Sequence, residues 1–341
     1  MSKVTIHTVA EHAGVSIATV SRALAGSDTV APELRQAVER SARKLGYVRN
    51  NIASALRSSK TRTVGMVVPE IANPFITELV QEVEDALRVR GFQLLLCSAH
   101  QDPAGENEAL QSLIARQIDG IIISPVNAAT SMTAVKAAAA TKRLVQVDQR
   151  IDGLDAHWIG VDDEQGIRLV LRHLKDQGVN SAGFVSAREA DSSSVTRYQA
   201  FRQLCGEMGI TVAEEHVRLG DYSASFGRRA MTELVEQGGL PDSLVCGADV
   251  IAIGALQTCY RTGLKVPDSL LLTGFDDIEF ADLCAPRLTT VRQPLRAIAR
   301  QAVKLLLDDD QETTVRLALA PRLVVRESSM RRPRQNGSAD D

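Results

Sequence analysis

The sequence predicts a small all-α head of helix-turn-helix type joined to an α/β body with parallel sheets. Residues 1–62 hold ten Lys or Arg against four acids, a net of +6, whereas the rest holds 29 against 38, a net of −9. The head breaks into three short amphipathic stretches punctuated by glycine. The body alternates short apolar runs with longer amphipathic stretches, the pattern of strands covered on both faces by helices. At 341 residues, 44% hydrophobic and 24% charged, the chain is an ordinary globular composition of two domains, or of one small module plus a bilobed body. A basic head on an acidic body implies a head that meets a polyanion.

In the head, Ile6, Val9, Ala10 and Ala13 recur at the spacing of one helical face. Gly14 supplies the backbone freedom a tight turn needs, and Ser16 is a good N-cap for a helix over 17–24 with Val20 and Leu24 inward. Pro32 suits the first position of a third helix, with Glu33 near its positive end. Leu34, Val38, Ala42 and Leu45 would be its buried stripe, and Gly46 would end it. Ala31 is a poor cap for this helix. Three short helices with a tight turn between the first two is a DNA-binding arrangement.

The run Val4-Thr5-Ile6, Val9-Ala10, Ala13-Gly14-Val15-Ser16 and Thr19-Val20-Ser21-Arg22, continued by Leu45-Gly46-Tyr47, Asn50, Ala53 and Leu56, resembles the lactose/galactose repressor (LacI/GalR) family. The resemblance covers essentially the whole chain. It implies that the second helix lies in the major groove, with Ile17, Ala18, Ser21 and Arg22 facing the bases. Arg22 can bond bidentately to a guanine edge, whereas Ile17 and Ala18 read only shape or a thymine methyl. Thr5, Ser16, Thr19, Ser21 and Asn50 would hold phosphates, which position without specifying. The short segment 50–62 would be a hinge and linker. The resemblance implies that it becomes helical on DNA, with Ala53 and Leu56 at the minor groove and Leu56 wedging a central step.

In the body, apolar runs at 64–68, 93–96, 120–123, 144–147, 182–185, 244–245 and 270–272 read as strands. The resemblance implies two Rossmann-like lobes of the periplasmic-binding-protein type. The first would span about 63–160 plus 288–319, the second about 161–287 plus a last strand near 323–326. Domain boundaries follow: a head at 1–49, the linker at 50–62, a bilobed effector-binding and dimerisation domain at 63–330, and a tail at 331–341.

Ligands of such sheets bind beyond the carboxyl ends of strands. There the sequence places Asn73, Phe75, Asp148, Arg150, Arg197, Tyr222, Asp276 and Gln293. Each matches a position of the family's effector pocket. Carboxylates accept from vicinal hydroxyls, Arg donates to ring oxygens and Phe75 can cover an apolar ring face, so the implied effector is a sugar or sugar derivative. Two positions depart from sugar-responsive relatives: Ala248 where an Asn is usual, which predicts a bulkier ligand or one with fewer hydroxyls on that side, and Gln149 where many carry Arg. The remaining paired acids, Asp162-Asp163-Glu164 and Asp276-Asp277, read as a solvated loop or helix start. Trp158 reads as core or lobe interface.

No G-x-S-x-G, P-loop or G-x-G-x-x-G after a strand is present, so an enzyme is not expected. Five scattered cysteines, none as C-x-x-C, and six isolated histidines offer neither disulfide framework nor metal site, and no cofactor is expected. With no secretory start and no long apolar run, a cytoplasmic location without membrane partner is expected. The family resemblance implies a ligand-controlled regulator of a carbohydrate-related operon, acting on a pseudo-palindromic duplex operator as a homodimer. Residues 330–341 lack the leucine heptads of tetrameric relatives and are expected to be disordered. The alternative is a global regulator answering to a partner protein, a phosphorylated metabolite or a nucleoside or purine corepressor.

Overall fold

The computed structural model describes residues 4–24, 29–47, 61–187, 191–308 and 313–331. The chain divides into two compact units, Met1–Thr61 and Arg62–Asp341.

In the first unit, α1 (Ile6–Ala13), α2 (Ile17–Leu24) and α3 (Pro32–Leu45) enclose Val9, Ala10, Val20, Ala23, Val38 and Ala42. Gly14 and Gly46 both sit at φ +67°, the left-handed region where a Cβ is costly, and each ends its helix there. Ser16 caps α2 by accepting from the Thr19 amide at 3.1 Å. Thr5 caps α1 through a reciprocal pair with Thr8. As its sequence implies, Ala31 makes no side-chain cap on α3, which starts on Pro32.

Two inward positions differ from the sequence reading. Ala23 rather than Leu24 is the second fully buried residue of α2, and Leu34 is exposed. On α3 the polar Ser41 is buried in its stead, its hydroxyl 3.0 Å from Nδ1 of His12 on α1. The positions Asn50, Ala53 and Leu56 lie outside the described residues, as does most of the tail.

The second unit begins with β1 (Thr63–Val68), α4 (Pro74–Val89), β2 (Gln93–Ser98), α5 (Pro103–Ala115), β3 (Gly120–Ile123), α6 (Met132–Ala139), β4 (Leu144–Val147) and β5 (His157–Val161). It continues with α7 (Asp163–Asp176), β6 (Ala182–Ala187), α8 (Ser192–Met208), β7 (Val217–Gly220), α9 (Ala224–Gln237), β8 (Ser243–Cys246), α10 (Asp249–Thr262) and β9 (Leu271–Thr273). The last elements are β10 (Thr290–Arg292), α11 (Leu295–Leu307), β11 (Arg316–Leu319) and β12 (Arg322–Val324).

One parallel sheet has the order β11-β5-β4-β3-β1-β2, the other β7-β6-β8-β9. Each has a core on both faces, which is why β3, β4 and β8 are buried along their whole length. Helix α4 illustrates the match of sequence to packing. Ile76, Leu79, Val83 and Leu87 form one buried stripe against β1, each worth about 1.5–3 kcal/mol of burial. The helix starts on Pro74, with the side-chain Oδ1 of Asn73 capping it by accepting from the Phe75 amide at 3.1 Å.

The lobe boundary needs one correction. Residues 288–292 belong to the second lobe, not the first. Leu288 and Val291 are buried in its two cores, and bridges Thr273↔Thr289 and Asp276↔Arg292 lay β10 beside the end of β9. β12 pairs antiparallel with β10. The return to the first lobe comes at Gln293-Pro294, and α11 then buries Ile298, Ala302 and Val303 in the first core. β5, which the apolar-run reading passed over because it opens on His157-Trp158, is a central strand of the first sheet.

Candidate functional site

The cleft between the two lobes lies where the strands' carboxyl ends face one another. Its inner chamber is about 40 Å³, space for a few waters, and is lined by Asn73 and Phe75 after β1, Asp148 and Gln149 after β4, Ser193 and Arg197 on α8, Tyr222 after β7 and Asp276 after β9. An outer chamber of about 810 Å³ shares Glu70, Asn73, Gln101, Asp191 and Tyr222 with it.

Arg197 dominates the second lobe's wall. It is 2% exposed, its Nε donates to Oδ1 of Asp163 at 2.6 Å, a terminal nitrogen donates to the Gly247 carbonyl at 2.6 Å, and its guanidinium lies 3.7 Å over the Phe275 ring. Gly247 must be glycine here, because a Cβ would fall 2.0 Å from Oγ of Ser186. Asp163 is therefore a buried ion-pair partner and not part of a solvated helix start. Its neighbour Asp162 caps α7, accepting from the Gln165 amide at 2.9 Å.

Asp148 and Asp276 face this cation from opposite lobes. Asp148 accepts from Ser124 Oγ at 3.2 Å, and its carbonyl takes the Trp158 indole N–H at 3.0 Å. Burial pushes the Asp148 carboxyl up to about 7 against the pull of Arg197. Asp276 accepts from Gln293 Nε2 at 2.8 Å, and burial raises it too, with Arg197 opposing. Both residues have positive φ, 59° and 121°, so their carboxylates are held by backbone that few residues adopt. Burial also raises the Tyr222 phenol, whose oxygen is 3.1 Å from Oγ of Ser193.

Not every predicted position reaches the cleft. Arg150 pairs with Asp152 at 3.0 Å, lies 5.2 Å from the Trp158 ring and is not among the residues that line the chamber. Gln293 stands behind Asp276 rather than on the chamber wall. Ala248 is buried in the second lobe's core as the first flank of α10, so its small size does not widen the chamber. Asp277 is likewise no solvated acid: it is buried between Arg292 and Arg326, the latter at 2.7 Å.

The sequence reading missed a clasp. Gln149 of the first lobe donates to Ser193 Oγ at 2.7 Å and accepts from Ser192 Oγ at 2.9 Å, while the Arg150 amide donates to Ser192 Oγ at 2.9 Å. The signal available was position: Gln149 directly follows Asp148 beyond a strand end, and the serines open the facing helix.

On the head, Ile17, Ala18 and Arg22 are exposed on one face of α2, with Ser21 partly so. Thr5 and Ser16 are exposed at helix starts, where free amides already favour phosphate. Ser16 Oγ and Thr19 Oγ1 lie 2.9 Å apart within the cap, and Arg22 Nε donates to the Ala18 carbonyl at 3.3 Å. Among the described residues there is no cluster of three or more His, Cys, Asp or Glu that could hold a metal ion, and no helix is long and apolar enough to cross a membrane. All five cysteines are free thiols.

A helix-turn-helix head with an exposed polar helix, followed by a two-lobed body closed around a polar cleft, defines a ligand-responsive DNA-binding regulator. Residues 5–50 match the model for bacterial regulatory proteins of the lacI family, and residues 171–329 match a periplasmic binding protein-like domain. The chain is 30% identical over 311 residues to the HTH-type transcriptional repressor CytR of Escherichia coli (strain K12), covering 90% of each, and 30% identical to the regulator DegA of Bacillus subtilis (strain 168), covering 96% of this chain and 98% of DegA. Among solved structures, it resembles the regulator CelR in complex with cellobiose at TM-score 0.72 and 30% identity, over 95% of this chain and 99% of that one. The lac repressor dimer bound to operator and the anti-inducer ONPF shares the fold at TM-score 0.86 and 24% identity, over 97% of this chain and 100% of that one. The chain belongs to the LacI family of DNA-binding transcriptional regulators.

Proposed function

We propose that this protein is a homodimeric repressor of a carbohydrate-related operon, released from or fastened to its operator by a small polyhydroxylated effector in the cleft. The observation that carries this reading is the opposition of Asp148 on one lobe to Arg197 and Asp276 on the other. A ligand bonded to both walls stabilises the closed arrangement alone, and only such differential contact shifts a two-state equilibrium. Carboxylates that accept from vicinal hydroxyls, with Phe75 and Tyr222 beside them, suit a sugar ring. The cellobiose complex of CelR, at 30% identity, supports the sugar class.

On the head, Arg22 reads a guanine, Ile17 and Ala18 read shape, and Thr5, Ser16, Thr19, Ser21 and Asn50 hold phosphates. Ala53 and Leu56 act at the minor groove of a pseudo-palindromic site. The boundaries that go with this reading are a head at 1–49, a hinge at 50–62, a body at 63–330 and a tail at 331–341, the protein acting in the cytoplasm. Selection of bound duplexes from a random pool, followed by a thermal-shift screen of sugars and polyols, tests it. A two-fold symmetric consensus and a saturable sugar shift are expected. Asymmetric or sequence-indifferent binding would overturn the operator half, and absence of any ligand the effector half.

A further inference from the structure

Consecutive side chains of a strand point to opposite faces, yet Asp148 and Gln149 both line the inner chamber. The left-handed backbone at Asp148, φ 59°, breaks the alternation. Three hydrogen bonds hold the bend that follows β4. The Asp148 amide donates to the Ile159 carbonyl at 3.2 Å, the Asp148 carbonyl takes the Trp158 indole N–H at 3.0 Å, and the Gln146 side-chain oxygen takes the Ile151 amide at 2.7 Å. The indole touches both flanks of Gln149. Its N–H holds residue 148, and the Arg150 guanidinium lies 5.2 Å over its ring. Gly160, two residues on and therefore on the same face of β5, makes room for this ring, since a Cβ there would fall 2.3 Å from it. Between the two held flanks, Gln149 crosses to the second lobe. It accepts the Ser193 amide at 3.2 Å and bonds the Ser192 and Ser193 hydroxyls, while the Arg150 amide donates to Ser192 Oγ.

We propose that Trp158 is a positioning residue of the switch: its indole N–H fixes residues 148–150 as one unit, so that the effector wall at Asp148 and the inter-lobe clasp at Gln149 are set together. That Asp148 meets the effector rests on the reading of the cleft given above. Without the indole donor the left-handed bend loses an anchor, and the segment relaxes toward extended backbone, in which the two side chains cannot both serve the cleft. With it, whatever orders Asp148 also orders the clasp, and the effect is reciprocal. A ring that only filled the core would act through its shape and not through its N–H.

Trp158 is the single tryptophan of the chain, so its donor can be removed without changing the ring's outline. Full-length protein is made with β-benzothienylalanine at position 158, where sulfur replaces the N–H, and separately with a ring-fluorinated tryptophan that keeps it. Amide hydrogen exchange is followed at single-residue resolution, without ligand, at Arg150 and Ser193, with β3 as an internal reference. The benzothienyl form is expected to melt within about 3 °C of wild type. Its Arg150 and Ser193 amides, on opposite lobes, should each exchange about tenfold faster, the loss of roughly one hydrogen bond's worth of protection. The fluorinated form should match wild type at both. Gln149→Ala, which removes the acceptor of the Ser193 amide, marks the fully unclasped rate at that residue. Wild-type exchange in the benzothienyl form overturns the inference, as does a rise at Arg150 alone. So does a rise shared by β3 or by the fluorinated form, because the ring then acts by packing. The measurement uses no sugar, so a sugar screen without a hit would remove the effector reading and leave the role of Trp158 to be decided by exchange.

Discussion

Replacing Arg197 by alanine removes far more than a ligand contact. On sequence alone, an effector-pocket arginine is a residue whose loss blinds the switch while the body stays folded. In the structure its guanidinium is shared among Asp163 at 2.6 Å, the Gly247 carbonyl at 2.6 Å and the Phe275 ring at 3.7 Å, with 3% of the side chain exposed. Alanine there leaves a buried carboxylate without its cation and a buried carbonyl without its donor. Removing one partner of a buried pair costs about 3–5 kcal/mol. For a body of this size that lowers the melting temperature by roughly 10 °C. Trp158, the single tryptophan of the chain, lies in the body and reports its unfolding in urea without interference from the head. Adding Asp163→Asn should return about 2 kcal/mol, because the stranded charge is gone. Without Arg197 the Asp163 carboxyl, already raised by burial, protonates more readily, so the deficit of Arg197→Ala should shrink toward pH 5. An Arg197→Ala protein within 0.5 kcal/mol of wild type (roughly the scatter expected of a neutral surface change) would refute this account of the pair.

Other outcomes follow from the same geometry. Asp148 and Asp276 have folded-state values raised above the unfolded one, so each contributes stability that is fully present at low pH and is lost as pH rises through about 7. The ligand-free body should therefore melt higher at pH 6 than at pH 8, and Asp276→Asn should flatten that slope in a calorimetric series. Ser16→Ala removes the cap of α2 and should cost the head about 1 kcal/mol in thermal unfolding followed by circular dichroism. Arg22→Ala should relax preference at one guanine per half-site by ~1–3 kcal/mol in competition binding, with little change at other positions.

The layout of the fold was legible because its signals are local. Gly14 and Gly46 mark helix ends at positive φ, Pro32 marks a start, and runs such as 120–123 are apolar throughout because both faces of the strand are covered. What escaped depends on tertiary context. Leu34 and Ser41 exchange places relative to the simple apolar stripe, the Ser41 hydroxyl finding its partner in the ring Nδ1 of His12 on another helix. The lobe assignment of β10 rests on its pairing with β12, over thirty residues away in the chain, which no local pattern encodes. In the cleft, the strand-end rule located Asp148, Arg197, Tyr222 and Asp276. It could not tell that Asp163 belongs to Arg197, that Arg150 turns to Asp152, or that Gln149 clasps two serines across the lobes, since side-chain direction is set by packing.

The central claim is that a ligand in the cleft governs DNA binding by the head. Fluorescence anisotropy of a labelled operator duplex, titrated with full-length wild type and Asp276→Asn in the presence and absence of the tightest ligand found, measures it directly. The account predicts that ligand changes wild-type operator affinity by about tenfold or more, a coupling of ~1.4 kcal/mol. The variant should bind operator as the ligand-free wild type does and not respond. Saturation of the cleft with no change in operator affinity, or an equal response from the variant, would contradict it.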